Sequence, residues 1–262
     1  MSIFLSENLV LTQTALSDNA GVIGYMNYAT PSALSVTSST VANPATNMTN
    51  PATSFRWEAT SAATQTITIT TDGKEIDYIG LARHNLNQAG LTVEVRYDGQ
   101  TVIPAAPISD IQALLFLTNI ATPTTVQIII AGATAAPSIA VLYIGKSLRL
   151  QRDIYVGHSP ITFSRDRVSI NGISENGQYL GEIVIRETNS TSVQLQNLTP
   201  EWYRANLDPF FKLSPRIPCF WAWRPTKYSD EVGYCWIEGK PSMSNQLSNG
   251  MVQCSWNFRG IA

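Results

Sequence analysis

Charge is what this sequence has least of. Of 262 residues, 17 are Lys or Arg and 19 are Asp or Glu, 14% in all, well below the roughly one quarter of an ordinary soluble domain. Ser, Thr, Asn and Gln must therefore supply the polar surface, which suits exposed strands and also subunits that bury much of themselves in an assembly. The net charge is −2 and the first basic residue is Arg56, so no basic arm or patch for DNA or RNA is present. Long apolar runs are missing too: nothing approaches the roughly 18 residues needed to span a bilayer. The start, MSIFLSE, lacks a positive n-region and Glu7 interrupts its apolar run, so no signal peptide is expected and folding is expected in the cytoplasm.

Histidine and cysteine are almost as sparse. Two histidines, His84 and His158, make a His-based triad or a multi-histidine metal site improbable. The three cysteines, Cys219, Cys235 and Cys254, are odd in number and too widely spaced for a zinc pattern, so buried free thiols are expected. No P-loop, nucleophile elbow, HExxH or GxGxxG occurs. Carboxylates pair in sequence at Asp230 and Glu231, and Asp153 and Asp166 lie 13 residues apart, but nothing fixes either pair across a cleft. No calcium-binding spacing is visible. The chain is expected to have no enzymatic activity and no metal or other cofactor. His84 reads as a hydrogen-bonded residue at a strand end, with ligand orientation as the alternative, and His158 as a surface loop residue.

What is present is strand periodicity. Residues 1–29 read as an extended arm or one or two strands. Residues 30–55 carry no charge, are rich in Ser, Thr, Pro and Ala, and form either a linker or a loop-rich lead-in to a sandwich. From Trp57 onward apolar and polar residues alternate at 65–70, 91–97 and 125–130, with further apolar strands at 78–82, 101–103 and 139–144. Asp98 and Gly99 form a tight turn. Residues 111–117 fit a strand or a short helix. Strands at about ten-residue spacing specify a sandwich or jelly roll, and no helix–strand alternation appears.

Charge rises at Lys146–Arg167, which places a boundary near residue 150: an arm at 1–29, a β-sandwich at 30–149 and a second β domain at 150–262. The second domain is expected to have strands at 179–186, 192–198, 219–223, 231–237 and 251–258, with turns at Asn171-Gly172, Asn176-Gly177 and Asn249-Gly250. One helix is marked near 199–208: Thr199 can cap it, Pro200 suits its first position, Glu201 complements its dipole, and Pro209 should end or kink it.

Tryptophan is the residue with most to say. Five of six lie in the second half: Trp202, Trp221, Trp223, Trp236 and Trp256. Trp57 stands alone in the first. An aromatic core accounts for them; a subunit interface or a sugar-stacking platform is the alternative for Trp57, Trp221, Trp223, Trp236 and Trp256.

Two stretches carry a family resemblance. NPATSFRW at 50–57, TITI at 66–69 and IDYIGLA at 76–82 resemble the opening of discoidin-like, galactose-binding-type jelly rolls. That resemblance implies carbohydrate or protein binding at loops, although no sugar-ligand pattern of the family maps onto these residues. PCFWAWRP at 218–225, EVGYCW at 231–236, NGM at 249–251 and the closing RGIA resemble distal or minor tail proteins of siphophages. There a discoidin-like sandwich and a tail-tube-like β domain with one helix often share a chain. The resemblance implies a virion protein of the tail tip, assembled in the host cytoplasm. It would form a homo-oligomeric ring, sixfold, that joins the tail tube to the host-recognition apparatus. Its partners would be copies of itself, other phage tail proteins and a host-surface glycan, with neither nucleic acid nor membrane insertion. A carbohydrate-binding, adhesin-type sandwich is the alternative function.

Overall fold

Whether apolar residues alternate along a strand or run unbroken sorts the strands of this chain into sheets with one buried face and sheets with two. The computed structural model describes residues 2–7, 9, 20–109, 112–154, 157–246 and 250–262. One five-stranded sheet runs in the order β3 (Leu34–Val36), β5 (Gln65–Thr70), β10 (Thr125–Ala131), β7 (Thr92–Tyr97), β8 (Gln100–Pro107). Its central strands alternate: Ile67, Ile69, Val93, Val95, Val126 and Ile128 are buried and their neighbours face outward, as a half-wet sheet requires. Asp98 and Gly99 both have positive φ, the geometry of the tight hairpin turn between β7 and β8.

The facing sheet runs β1 (Ile3–Leu5), β9 (Ala113–Ala121), β6 (Ile76–His84), β11 (Ser138–Gly145), β4 (Trp57–Glu58). Here β6, β9 and β11 are apolar without alternation and buried nearly throughout. One face, with Ile79, Leu81, Phe116, Ile139 and Leu142, closes the sandwich core. Residues 30–55 are a lead-in rather than a linker: they supply β3 and a short turn of 3₁₀ helix, Ala45–Thr49, whose Met48 is fully buried in that core. The ambiguous segment at 111–117 resolves as strand β9 from Ala113 onward, with Ile111 outside the described residues.

The third sheet has seven strands: β12 (Leu148–Arg149), β2 (Val22–Gly24), β15 (Cys219–Ala222), β16 (Val232–Gln246), β17 (Met251–Ile261), β14 (Tyr179–Leu198), β13 (Asp166–Ile173). The first 29 residues thus contribute a strand to each half of the molecule, β1 parallel to β9 and β2 antiparallel to β15. On one face of this sheet Val193, Leu195, Cys254, Trp256 and Phe258 pack on the helical residues Leu207, Phe210 and Phe211. The chain is all-β, and among the described residues the one helix longer than a short 3₁₀ turn runs over residues 200–213.

That helix departs from expectation at its cap and runs on past Pro209, which is expected to end or kink it. Thr199 makes no side-chain cap; its hydroxyl accepts from Gln151 Nε2 at 2.9 Å. Pro209 does not end it. Residues Tyr203–Leu207 widen into a π turn in which the Asp208 N–H reaches Tyr203 O. The i→i+5 pattern just ahead of the proline accommodates its missing N–H and its ring. A second departure is Asn171-Gly172, which lies inside β13 at a register shift instead of in a turn. The hairpin turns at Asn176-Gly177, where Gly177 has φ +76°. In the turn expected at Asn249-Gly250, Asn249 lies outside the described residues.

The outer face of the β1–β9–β6–β11–β4 sheet is covered by the third sheet. Tyr78, Leu115, Val141 and Tyr143 meet Phe220, Ala222, Val232 and Tyr234. Gly80 makes the approach possible, since a Cβ there would lie 2.4 Å from the Phe220 ring. The Tyr143 and Phe220 rings meet edge to face with centroids 5.7 Å apart. Beside them a buried ion pair ties β6 to β12: Arg149 donates to Asp77 Oδ2 at 3.0 Å, and the Ser147 hydroxyl donates to the same oxygen at 2.9 Å. Burial raises the Asp77 carboxyl above its usual range, and the Ser147 and Arg149 interactions oppose that rise.

Candidate functional site

Strand β14 is 20 residues long, and its two halves have different neighbours. From Asn189 to Leu198 its described partner is β17; from Tyr179 to Thr188 its described partner is β13 alone. Residues 166–188 therefore form a two-stranded ribbon that leaves the body of the sheet, about 30 Å long at roughly 3.4 Å per residue. The expected strands at 179–186 and 192–198 are one strand that changes partner midway. A ribbon of two strands is marginal in water by itself, and this one presents two open backbone edges.

Its side chains are not those of a solvated ribbon. On one face Val168, Ile170 and Ile183 stand together, by the pairing of Ile170 with Ile183; on the other are Val184, Ile173 and Tyr179. All six are exposed, Ile183 to 71%. Leu180 and Ile185, at the two register shifts, are exposed as well. The Arg167–Glu187 ion pair, 3.2 Å and half exposed, contributes little to holding the ribbon. At its base Arg259 on β17 reaches Asp166 at 3.5 Å and Glu238 at 3.2 Å. Apolar residues exposed on both faces of a strand pair make this ribbon a candidate interaction surface.

The structure separates the tryptophans. Trp57 is fully buried, and its indole N–H donates to Ser38 O at 2.9 Å. It forms part of the sandwich core and has no free face for a sugar or a subunit. Trp221 and Trp256 are likewise buried, packed on Phe258 with centroids 5.5 and 5.9 Å away. Trp223 is half-buried and boxed in: Tyr228 stacks on it at 5.4 Å, His158 lies at 4.9 Å, Arg224 covers the ring, and its N–H donates to Glu231. Only Trp236 of the five candidates offers an open ring, at 41% exposure. Alternation alone could not separate these: it puts Trp221 and Trp223 on one strand face, whereas β15 ends at Ala222 and Trp223 lies just beyond it.

The remaining candidates are structural. His84 is buried, with Nδ1 accepting from the Leu86 N–H at 3.2 Å. His158 is half-buried against Trp221 and Trp223 rather than on an open loop. Burial, then the Arg224 charge, lowers its pKa, while the hydrogen bond to Ser192 O raises it. All three cysteines are buried and free; burial raises each thiol, Cys254 to about 12. Among the described residues no group of three His, Cys, Asp or Glu side chains is placed to hold a metal ion, and no helix is long and apolar enough to cross a membrane.

The exposed ribbon left no single motif in the sequence; its signal was the density of Ile, Leu, Val and Tyr on both parities between 168 and 185, beside ordinary charges.

No protein-family model matches the chain, and no curated protein matches it. Solved structures do resemble it over less than half its length. Chitosan-binding module 1 of a chitosanase/glucanase from Paenibacillus sp. IK-5 is 14% identical, covers 47% of this chain and 100% of its own, and superposes with a TM-score of 0.39. CpGH89CBM32-5 from Clostridium perfringens, in complex with GalNAc-β-1,3-galactose, is 18% identical over 43% of this chain and 94% of its own, with a TM-score of 0.36. A fucosidase from Ruminococcus gnavus, in complex with fucose, is 17% identical over 47% of this chain and 27% of its own, with a TM-score of 0.39. The chain is similar to these in β-sandwich layout.

Proposed function

We propose that this chain is a non-catalytic structural subunit that assembles with copies of itself through the ribbon at 166–188. The observation that carries the reading is the ribbon's chemistry: apolar side chains exposed on both faces, between two open strand edges. A second copy satisfies both needs at once, adding strands at the edges and covering the faces. If the β13 edge of one copy meets the β14 edge of the next, the contact is head-to-tail, and its repetition closes into a ring when the rotation between copies allows. The resemblance of the C-terminal segments to siphophage distal and minor tail proteins supports placing that ring at a phage tail tip. There the other tail proteins would be its neighbours and the host cytoplasm its place of assembly. Native mass spectrometry and electron microscopy of the purified chain, alone and with tail partners, test this. Closed rings, sixfold ones in particular, are expected; a strict monomer at all concentrations that joins no tail complex refutes it.

A second reading is a carbohydrate-binding β-sandwich protein, the activity carried in the names of the solved structures above. What favours it in this chain is Trp236, an indole left open on a sheet face. The two readings are compatible, since a tail-tip subunit can also touch a host-surface glycan.

A further inference from the structure

The face of the third sheet that the sandwich covers at Val232 and Tyr234 comes out into solvent two residues later, at Trp236. Cross-strand register lays out the rest of that face. On the central strand β17, Arg259 lies between Trp236 and Ser190, Asn257 between Glu238 and Ser192, and Ser255 between Ser242 and Gln194, while Gln253 lies beside Ser244. Along β17 the platform runs from Arg259 to Gln253, about 20 Å at roughly 3.4 Å per residue. Its far half, lined by Gln194, Gln196, Ser242, Ser244, Gln253 and Ser255, is concave. Gln253 Nε2 donates to Ser244 Oγ at 3.0 Å, which holds one amide in place across two strands.

The chemistry of this surface is unusual for a chain with exposed Ile and Leu elsewhere. The charges stay at the Trp236 end, where Arg259 pairs with Glu238 at 3.2 Å and Lys240 sits in the irregular stretch between Glu238 and Ser242. Beyond them the outward side chains as far as Gln253 are amides and hydroxyls; Leu195 and Cys254 also line the concavity, and Met251 follows on the same face of β17. Each amide offers two donors and an acceptor oxygen, and each hydroxyl offers both roles. A nucleic acid would need a basic surface, and a folded partner, which could use Trp236 as one anchor, would find no second apolar anchor among the amide and hydroxyl rows from Ser255 to Gln253. A neutral sugar chain needs what is here: an indole against which the apolar face of a pyranose can lie, then paired donors and acceptors for successive hydroxyls.

We infer that the outer face of β14, β17 and β16 is a glycan-binding platform for neutral oligosaccharides, with Trp236 as the stacking residue and Gln194, Gln253 and Ser255 as hydrogen-bonding groups. This rests on the carbohydrate-binding reading and relocates it, from the sandwich loops and Trp57 to the third sheet.

The test uses the full chain with immobilised neutral hexasaccharides (N-acetylated chitohexaose, cellohexaose and a β-linked galactan), heparin as the charged comparison, and tryptophan fluorescence as a second readout. Wild type is expected to bind at least one neutral hexasaccharide in preference to heparin. Trp236→Ala should weaken that binding about tenfold or more. Gln253→Ala with Ser255→Ala should weaken it several-fold with the circular dichroism spectrum unchanged. Wild-type protein that binds none of the neutral probes overturns both this inference and the reading beneath it. Binding that survives Trp236→Ala at full strength overturns the platform alone and returns the sugar to the sandwich. A preference for heparin overturns the neutral class. A change of oligomeric state in Trp236→Ala with no change in sugar binding assigns the face to a second copy instead, which also overturns the inference.

Discussion

Strands β6, β9 and β11 and the ribbon of β13 and β14 carry the same kind of pattern, apolar residues on both faces of a strand. They meet opposite fates. The first three are buried nearly throughout, because the chain supplies a cover for each face: the β5–β10–β7 strands on one side, and Phe220, Ala222, Val232 and Tyr234 on the other. The ribbon receives no such cover from the described residues, so Ile170, Ile183, Ile173 and Tyr179 stand in solvent. Two-faced apolarity is thus a demand for two partners. Where one chain cannot meet it, the demand points to another molecule.

Breaking the cover in the first region should have the largest effect. Phe220→Ala is expected to cost about 3–5 kcal/mol, the range for a buried phenylalanine, and to split thermal unfolding into separate transitions for the sandwich and the third sheet. Chemical and thermal denaturation followed at several wavelengths check this; a single transition with a loss below about 1 kcal/mol would mean that the sheets do not depend on that contact.

Trp57→Phe is expected to cost about 1–3 kcal/mol, by leaving the Ser38 carbonyl without its donor and a gap in the core, while any sugar binding stays at the wild-type level. Denaturation together with the hexasaccharide assay separates the two. A stable variant that loses sugar binding would restore Trp57 as a ligand residue.

Asp77 sharpens the contrast through pH. Its folded pKa is raised above the usual 3.8, chiefly by burial. A raised folded value makes a contribution to stability that is complete below the unfolded pKa and is lost as pH rises through the folded one. The stability of wild type relative to Asp77→Asn should therefore fall as pH climbs through the carboxylate range and just above it. A relative stability that rises over that window would show that the Arg149 charge outweighs desolvation.

In the ribbon, Ile170→Ser combined with Ile183→Ser should leave the stability of the monomer within about 0.5 kcal/mol of wild type, as for exposed positions. Self-association should be abolished. Analytical ultracentrifugation with denaturation checks both. A large loss of monomer stability with assembly intact would mean that the ribbon already has its cover.

Much of the fold was legible beforehand because it rests on local rules. Alternation placed β5, β7 and β10; Asp98-Gly99 marked the turn from β7 to β8 and Asn176-Gly177 the turn from β13 to β14, with positive φ at Asp98, Gly99 and Gly177. The helix start was read from Pro200 and Glu201. Its end was misread, because a π turn can absorb a proline when Phe210 and Phe211 are held in a core. Asn171-Gly172 was misread for a related reason: a sequence that favours a turn can sit at a bulge when the strand on either side is paired. For the five candidate tryptophans, the sequence named aromatic residues in or beside strands, and alternation could not say which of them the fold covers.

By itself the sequence determined strand periodicity, the scarcity of charge and of catalytic or metal-ligating groups, and hence an all-β chain with binding or assembly as its expected role. Those properties depend on neighbours along the chain. Only the tertiary structure decided which apolar face found a partner, that Trp57 closes a core while Trp236 lies open, and that residues 2–7 and 20–29 stitch the two halves together. Cover is a property of what packs across a face, and residues nearly two hundred positions apart, such as Ile23 and Trp221, supply it.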